Sequence, residues 1–277
     1  MKKEIRNLIG LCLTVCSFLC IQSVQAARVD TLSVKSRAMN KDIQVVYILP
    51  EKALADTPCP VLYLLHGYSD NARTWIRKIP SLRQQADEKG IIIVCPDGKT
   101  SWYFDSPMNP SVRYETFIAS ELVAYTDRHF ATIAHRKARA ITGQSMGGHG
   151  AMHLAIRHKD TFGAVGCMSG GVDIRPFPQN WDIKESLGEY EQHPEVWDAN
   201  TVINLIDRLV NGDLAITIDC GKDDFFYEVN QNLHKKLWDN GIAHDFVTRP
   251  GGHDWVYWAV SIEHQLLFFD RFFNKGK

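Results

Sequence analysis

Short apolar runs of strand length alternate with longer amphipathic stretches over most of the chain. Such alternation is typical of a parallel sheet whose two faces are covered by crossover helices. The predicted strands cover residues 60–67, 91–98, 138–145, 162–170, 213–221 and 244–252. The predicted helices cover residues 74–90, 114–130, 147–160, 226–241 and about 254–273. The pattern therefore predicts an α/β architecture with a mostly parallel sheet and helices on both faces.

Two segments fall outside this alternation. Residues 27–50 read as two extended stretches, which we expect to form antiparallel strands at the start of the sheet. Residues 171–211 follow the sixth strand and are polar, with three prolines and two tryptophans. This insertion could act as a lid or substrate wall, or it could be a surface excursion. We expect residues 27–277 to form a single domain.

The first 26 residues have the pattern of a secretory signal peptide. Lys2, Lys3 and Arg6 precede the apolar run LIGLCLTVCSFLC, and small residues follow up to Ala26. The apolar run is shorter than the roughly 20 residues that a membrane span needs, which argues against an anchor. We expect cleavage after Ala26 and a mature chain that is periplasmic or secreted.

Composition and charge limit the partners that the mature chain can have. The 277 residues are 45% hydrophobic and 23% charged, with a formal net charge of −1. This is typical of a soluble globular protein, with no basic patch to attract nucleic acid and no second candidate membrane span. The cysteines left after cleavage show no CxxC or zinc-type spacing. Buried thiols are the leading interpretation, and export keeps a disulfide open; these cysteines are Cys59, Cys95, Cys167 and Cys220.

The segment GQSMG places Ser145 between two glycines. A GxSxG motif is weak by itself, but this one follows a predicted strand and precedes a predicted helix, as a nucleophile elbow requires. Such a turn strains the dihedrals of the serine, and it brings strand and helix so close that a side chain at Gly143 or Gly147 would clash. The alternative is a tight glycine turn or a phosphate-binding loop, but no GxGxxG or Walker lysine accompanies it. Ser145 is therefore the candidate nucleophile.

A serine hydroxyl needs a base, and the base needs a carboxylate to orient it. In elbow enzymes the base follows the last strand of the sheet and comes after the acid in the chain; His253 in RPGGHDW has that position. The preceding strand ends in IDCGKDDFF, which offers Asp223 and Asp224, while Asp219 lies inside the strand. Spacing alone does not separate Asp223 from Asp224, and either could be a turn residue or helix cap.

Two backbone N–H groups are candidates for an oxyanion hole. The first belongs to Met146, directly after the serine, at a helix N-terminus whose dipole favours negative charge. The second should come from the loop after an early strand. That strand ends in LLHGYSDN, which makes Tyr68 the candidate donor. The His-Gly pair could also simply end the strand.

Five segments, taken in order, resemble the putative-esterase family of α/β-hydrolases: HGYSDNARTW, SWYFDSP, GQSMGGHGA, CGKDDFF and PGGHDW. That family includes esterase D (S-formylglutathione hydrolase), tributyrin esterases, feruloyl and acetylxylan esterases, and mycobacterial mycolyltransferases. The resemblance spans about residues 30–273. It implies an α/β-hydrolase fold and a serine carboxylesterase without metal or organic cofactor. Its CG-x-x-D-F pattern places the acid on Asp224, with Asp223 as the reserve.

The resemblance also suggests a substrate region and a range of substrates. In such esterases the SWYFDSP loop lies near the mouth of the site, so Trp102 and Tyr103 could stack on a sugar or phenolic acyl group, or merely pack the loop. The leading hypothesis is an exported serine carboxylesterase that cleaves acetyl, short-chain or feruloyl-type esters, carried on small molecules or oligosaccharides. The alternatives are an acyltransferase with the same triad and a non-catalytic glycan-binding protein on the same fold.

Overall fold

The strands follow the apolar runs. The computed structural model describes residues 27–275, and the predicted signal peptide lies outside this range. The strands are β1 (Arg28–Ser36), β2 (Lys41–Leu49), β3 (Val61–Leu65), β4 (Ile92–Pro96), β5 (Arg139–Gly143), β6 (Ala164–Met168), β7 (Ala215–Gly221) and β8 (Asp245–Arg249). They form one sheet in the order β1-β2-β4-β3-β5-β6-β7-β8. β2 is antiparallel to both of its neighbours, and every other pairing in this sheet is parallel, which confirms the predicted architecture.

Helices cover both faces of the sheet. The α-helices of the described residues are α1 (Glu51–Leu54), α2 (Thr74–Lys78), α3 (Leu82–Lys89), α4 (Tyr114–Thr116), α5 (Val123–His129), α6 (Met146–Arg157), α7 (Ile183–Leu187), α8 (Pro194–Asn200), α9 (Val202–Leu205), α10 (Tyr227–Asp239) and α11 (Trp255–Phe273). Successive side chains of a strand point to opposite faces. In β3, Tyr63 therefore packs in one apolar cluster with Leu154 of α6, and Leu62 packs in the other with Trp75 of α2 and Leu266 of α11.

One predicted helix is broken in the structure. The sequence pattern predicts a single helix over residues 74–90, but α2 ends at Lys78 and α3 begins at Leu82. The break contains Pro80, which has no N–H to donate and whose ring crowds the preceding turn of a helix. The predicted end at Gly90 is confirmed, and this glycine adopts the left-handed conformation with a φ of 61°.

The insertion after β6 is packed onto the domain rather than projecting from it. It contains α7, α8 and α9, and its Ile183 and Trp197 side chains are fully buried in the same apolar cluster as α6. The Ser106 hydroxyl donates to the Ser186 carbonyl at 2.7 Å. Because apolar burial and polar bonds both fix it, the insertion has one defined position above the sheet.

Two buried imidazoles on α6 also hold the insertion. His149 Nε2 lies 3.0 Å from the Asn200 carbonyl oxygen, and His153 Nε2 lies 3.2 Å from the Asn200 side-chain oxygen. Both rings make edge contacts with Phe104. Burial lowers the pKa of His149 to about 4. Burial, with the neighbouring His149, lowers the pKa of His153 to about 3.

These histidines predict that acid weakens the fold well before the carboxylates titrate. In the unfolded chain both imidazoles take up protons near pH 6.5, whereas in the folded chain they stay neutral until the pH falls to about 4 and about 3. The unfolded state therefore binds more protons, and the free energy of unfolding should decrease as pH falls from about 6.5 to about 5. Urea titrations across this interval should show a shallower pH slope for His153→Gln, which does not titrate and can still bond Asn200.

The matched control is His264→Gln, at an exposed position of α11, which should keep the wild-type slope. Equal slopes for wild type and His153→Gln would contradict the assignment of the acid sensitivity to this buried pair.

Candidate active site

The loop from β5 to α6 turns sharply at Ser145. This residue has a φ of 55° and a ψ of −120°, a strained conformation for a residue with a side chain. Its N–H donates to the Met168 carbonyl at 2.9 Å, which ties the turn to the end of β6. A Cβ on Gly143 would lie 2.7 Å from the Leu65 carbonyl oxygen, and one on Gly147 would lie 2.6 Å from it. The predicted need for glycine on both sides of the serine is thus confirmed.

The structure brings together Ser145, His253 and Asp224. Ser145 Oγ lies 2.8 Å from His253 Nε2, and His253 Nδ1 lies 3.0 and 2.8 Å from the two carboxylate oxygens of Asp224. A carboxylate accepts hydrogen bonds, so Nδ1–H donates to Asp224 and Nε2 accepts from the serine hydroxyl. The Phe226 N–H donates to the same carboxylate at 2.8 Å. The three side chains stand on the loops after β5, β7 and β8, at one edge of the sheet.

The two candidate aspartates have different roles in this geometry. The Asp224 side chain is fully buried beside the imidazole, whereas Asp223 is exposed. The Asp223 carboxylate accepts from the Gly251 N–H at 3.1 Å, and the Asp223 N–H donates to the Gly251 carbonyl at 3.0 Å. Asp223 therefore fastens the histidine loop, and Asp224 is the carboxylate that contacts His253.

A buried ionic network lies beneath these two loops. Asp219 in β7 is 1% exposed and pairs with Arg249 at the end of β8 at 3.1 Å. The Tyr257 hydroxyl of α11 also donates to Asp219. Burial, followed by this hydrogen bond to the Asp219 carboxylate, raises the pKa of Tyr257. The network joins β7, β8 and α11, so the loops that carry Asp224 and His253 start from one rigid base.

Both candidate oxyanion donors lie at the serine turn. Met146 is the first residue of α6, where a backbone N–H has no carbonyl partner within the helix. A Cβ on Gly67 would lie 3.4 Å from the Ser145 Cβ, so the loop after β3 touches the serine, and Tyr68 is the next residue. The Tyr68 hydroxyl reaches away from the sheet and donates to Asp182 of the insertion at 2.5 Å.

The structure places Trp102 and Tyr103 inside the protein. Trp102 is 1% exposed and Tyr103 is fully buried. The Trp102 indole N–H donates to the Trp181 carbonyl at 3.0 Å, and the Tyr103 hydroxyl donates to the His66 carbonyl at 2.9 Å. A ring without exposed surface has no face on which a sugar or phenolic group can stack. The substrate-stacking interpretation of these two residues is corrected accordingly: both pack the loop.

Four other aromatic side chains pack against one another beside the imidazole, and we call them the aromatic wall. They are Phe177, Trp181, Phe225 and Phe226. The Phe225 ring is 53% exposed, and its centroid lies 4.2 Å from that of His253. The Trp181 ring stacks on the Phe225 ring, with the two centroids 5.6 Å apart and an angle of 19° between the ring planes. Sequence periodicity does not show this wall, because it joins the insertion to the loop that carries Asp224; the visible signal is the Phe-Phe pair after Asp224.

Other features of the described chain bear on partners and redox state. Cys95, Cys167 and Cys220 are buried free thiols, and burial raises the pKa of Cys167 to about 12. Within residues 27–275 no three His, Cys, Asp or Glu side chains are grouped so that they could hold a metal ion. Over the same residues, no helix combines the length and apolarity needed to cross a bilayer.

Comparison with known proteins places this geometry in a family. The family model described as "putative esterase" matches residues 36–269. An acetyl esterase of Caldicellulosiruptor saccharolyticus is 25% identical over 247 residues, which are 80% of this chain and 91% of that protein.

Solved structures agree with this match. A ferulic acid esterase, 29% identical, has a TM-score of 0.76 and covers 89% of this chain and 99% of its own. An S-formylglutathione hydrolase from Staphylococcus aureus, 25% identical, has a TM-score of 0.77 and covers 88% of this chain and 98% of its own. The matched region contains the serine turn, the acid loop and the imidazole. The chain belongs to the putative-esterase family, has the α/β-hydrolase fold and is a carboxylic ester hydrolase.

Proposed function

We propose that this protein is an exported serine carboxylesterase that works through a Ser145-His253-Asp224 triad and an acyl-enzyme. One observation carries the proposal: an unbroken hydrogen-bonded chain runs from a strained elbow serine through the imidazole to a buried carboxylate. A serine hydroxyl is a weak nucleophile until a base removes its proton. This arrangement supplies the base and fixes its tautomer.

In the first half of the reaction, Ser145 Oγ attacks the ester carbonyl carbon while His253 Nε2 takes the hydroxyl proton. Asp224 holds Nδ1–H and stabilises the imidazolium that forms. The tetrahedral intermediate carries its negative charge on the former carbonyl oxygen, facing the N–H groups of Met146 and Tyr68. Collapse of the intermediate breaks the bond to the alkoxy oxygen, and His253 returns the proton to the leaving alcohol.

In the second half, water replaces the alcohol. His253 Nε2 takes a proton from the water, whose oxygen attacks the acyl carbon bound to Ser145. The same two backbone donors stabilise the second tetrahedral intermediate. Its collapse releases the carboxylic acid, and the proton on His253 returns to Ser145 Oγ.

The aromatic wall supports a proposal for the ester groups that the site accepts. Phe225, which stacks with Trp181, presents an exposed apolar ring beside His253, which suits an aromatic or short aliphatic group of the ester. The similar proteins include one named acetyl esterase and one named ferulic acid esterase. We therefore propose acetyl, short-chain and feruloyl-type esters as substrates, including those carried on carbohydrates.

The triad predicts a large loss on removal of the nucleophile. Ser145→Ala should lower kcat for p-nitrophenyl acetate by roughly 10⁴–10⁶-fold, because no covalent acyl-enzyme can form. It should also abolish labelling by a fluorophosphonate probe. Retained turnover or labelling would remove Ser145 from this role.

The adjacent aspartates provide the matched control for that experiment. Asp224→Asn should lower kcat by about 10⁴-fold, because an amide favours the wrong imidazole tautomer. Asp223→Asn changes an exposed neighbour that contacts only the loop, so its effect should stay below about tenfold. The reverse order would show that Asp223 is the acid.

The aromatic wall predicts a selective effect of Trp181→Ala. Loss of its stacking should raise KM about fivefold to tenfold for a feruloyl ester, corresponding to about 1 kcal/mol, and leave KM for an acetyl ester within about twofold. Steady-state kinetics on acetyl, butyryl and feruloyl esters measures the difference. The control is Trp238→Ala, whose ring is 74% exposed on α10 and should not alter selectivity. An equal rise in KM for all three esters would show that the aromatic wall does not determine substrate choice.

The export proposal rests on the N-terminal charge and hydropathy pattern of residues 1–26. Mass spectrometry of the protein recovered from the periplasm or medium should find Ala27 as the first residue. An intact N-terminus, with the protein confined to the cytoplasm, would contradict it.

A further inference from the structure

We propose that His66 is a positioning residue that aims the Tyr68 N–H at the oxyanion. This rests on the proposed function, since it assigns a further role within the same site. The His-Gly pair marks the loop of the candidate oxyanion donor in the sequence and could also simply end the strand; the triad makes no use of this imidazole.

Both ring nitrogens of His66 have defined partners. Nδ1 lies 2.8 Å from the Gly67 carbonyl oxygen, and Nε2 lies 2.8 Å from the Gly98 backbone nitrogen. A carbonyl accepts and a backbone N–H donates, so Nδ1 carries the proton and Nε2 does not. These two contacts hold the imidazole in one tautomer, and the residue is 1% exposed.

The Gly67 carbonyl and the Tyr68 N–H belong to the same peptide group. A trans peptide is planar, so its C=O and N–H point in opposite directions. When Nδ1–H holds the Gly67 oxygen, it also sets the direction in which the Tyr68 N–H points. The same loop touches the serine, because a Cβ on Gly67 would lie 3.4 Å from the Ser145 Cβ.

This peptide needs such a restraint because a glycine precedes it. Glycine populates both signs of φ and allows its peptide to rotate at little cost. A rotated peptide would present the Gly67 carbonyl oxygen, instead of the Tyr68 N–H, to the developing negative charge. Besides the imidazole, the Asp70 N–H also contacts that oxygen, at a longer 3.2 Å.

The imidazole is itself held from its other side. Its Nε2 contact is with Gly98, just beyond β4, and the Tyr103 hydroxyl donates to the His66 carbonyl at 2.9 Å. The Asp97 carboxylate lies 3.5 Å from Nε2 and pairs with Lys99 at 2.7 Å. Through His66, the Gly67–Tyr68 peptide is therefore held in place by residues that follow β4, and not only by its own loop.

Two substitutions of His66 distinguish its hydrogen bond to the Gly67 carbonyl from its hydrogen bond to the Gly98 N–H. The amide nitrogen of Asn stands as many bonds from Cα as Nδ1 does, so His66→Asn can keep the bond to Gly67. The amide oxygen of Gln stands near the position of Nε2, so His66→Gln can keep the bond to Gly98 and loses the one to Gly67. We expect His66→Gln to lower kcat per active site about 10-fold to 100-fold with KM within about threefold, since a misdirected oxyanion donor costs less than a deleted one.

His66→Asn should stay within about fivefold of the wild-type kcat. Exhaustive titration with a fluorophosphonate counts competent serines and normalises kcat per site. Phenylboronic acid forms a tetrahedral adduct on the serine, so its inhibition constant should rise in parallel with the loss of kcat/KM. Ser101→Ala is the matched control, because the Ser101 hydroxyl donates to the Gly98 carbonyl at 2.6 Å and does not contact Gly67; its kcat per site should match that of the wild type.

The outcomes are distinguishable. If the wild-type protein neither hydrolyses esters nor reacts with the fluorophosphonate, the proposed function is wrong, whatever the His66 variants do. If the wild type is active but His66→Gln only loses titratable serines, with normal kcat per site, His66 is merely structural and the inference is overturned. Equal effects of Gln and Asn also overturn it. If the Gln variant does not fold, His66→Ala replaces it, and Ala must lose kcat per site where Asn does not.

Discussion

The active-site edge depends on one close approach of three backbone segments. The end of β5, the start of α6 and the end of β3 meet where Gly143 and Gly147 face the Leu65 carbonyl with no room for a Cβ. This packing fixes the strained Ser145, the first N–H groups of α6 and the loop after β3 relative to one another. The proposed nucleophile and the Met146 N–H are thus set by the same backbone geometry, which also holds the loop that carries Tyr68 against the serine.

The proposed acid and base are positioned by a different set of contacts. The paired Asp219 and Arg249 are partly or wholly withdrawn from water; a buried ion pair gives little net stability, but loss of one partner leaves an uncompensated charge. The pair joins β7 to β8, and it is formed in the register in which these two strands pair. Since the loops carrying Asp224 and His253 leave those two strands directly, the register determines whether imidazole and carboxylate meet.

The parts of the site that were readable in the sequence are local or set by topology. Ser145 lies in a strand-turn-helix motif, and His253 follows the last strand, so both could be predicted. The choice between Asp223 and Asp224 turns on which side chain the loop buries, which spacing does not encode. Sequence could not choose between stacking on substrate and packing the loop for Trp102 and Tyr103 for a similar reason, because an aromatic residue in a loop looks the same in sequence whether it is exposed or buried.

The broader fold shows the same division. The strands, the helices between them and the mostly parallel sheet follow from apolar periodicity and the rules for parallel crossovers. The break at Pro80 was not predicted, although the chemistry of proline explains it. The aromatic wall brings Trp181 next to Phe225, far apart in the chain, through the packing of an irregular insertion. Periodicity carries no information about that contact, so only the three-dimensional structure shows it.

The attachment of the insertion limits which motions are possible beside the serine turn. For the insertion to swing outward as a body, Asn200 would have to release both imidazoles of α6 and the Tyr68–Asp182 bond would have to break. Rotation of the half-exposed Phe225 ring breaks none of these bonds. Exposed side chains reorient in picoseconds to nanoseconds, whereas collective opening takes microseconds or longer. Fast motion beside His253 is therefore that of single exposed side chains such as Phe225, next to an insertion that its hydrogen bonds hold in place.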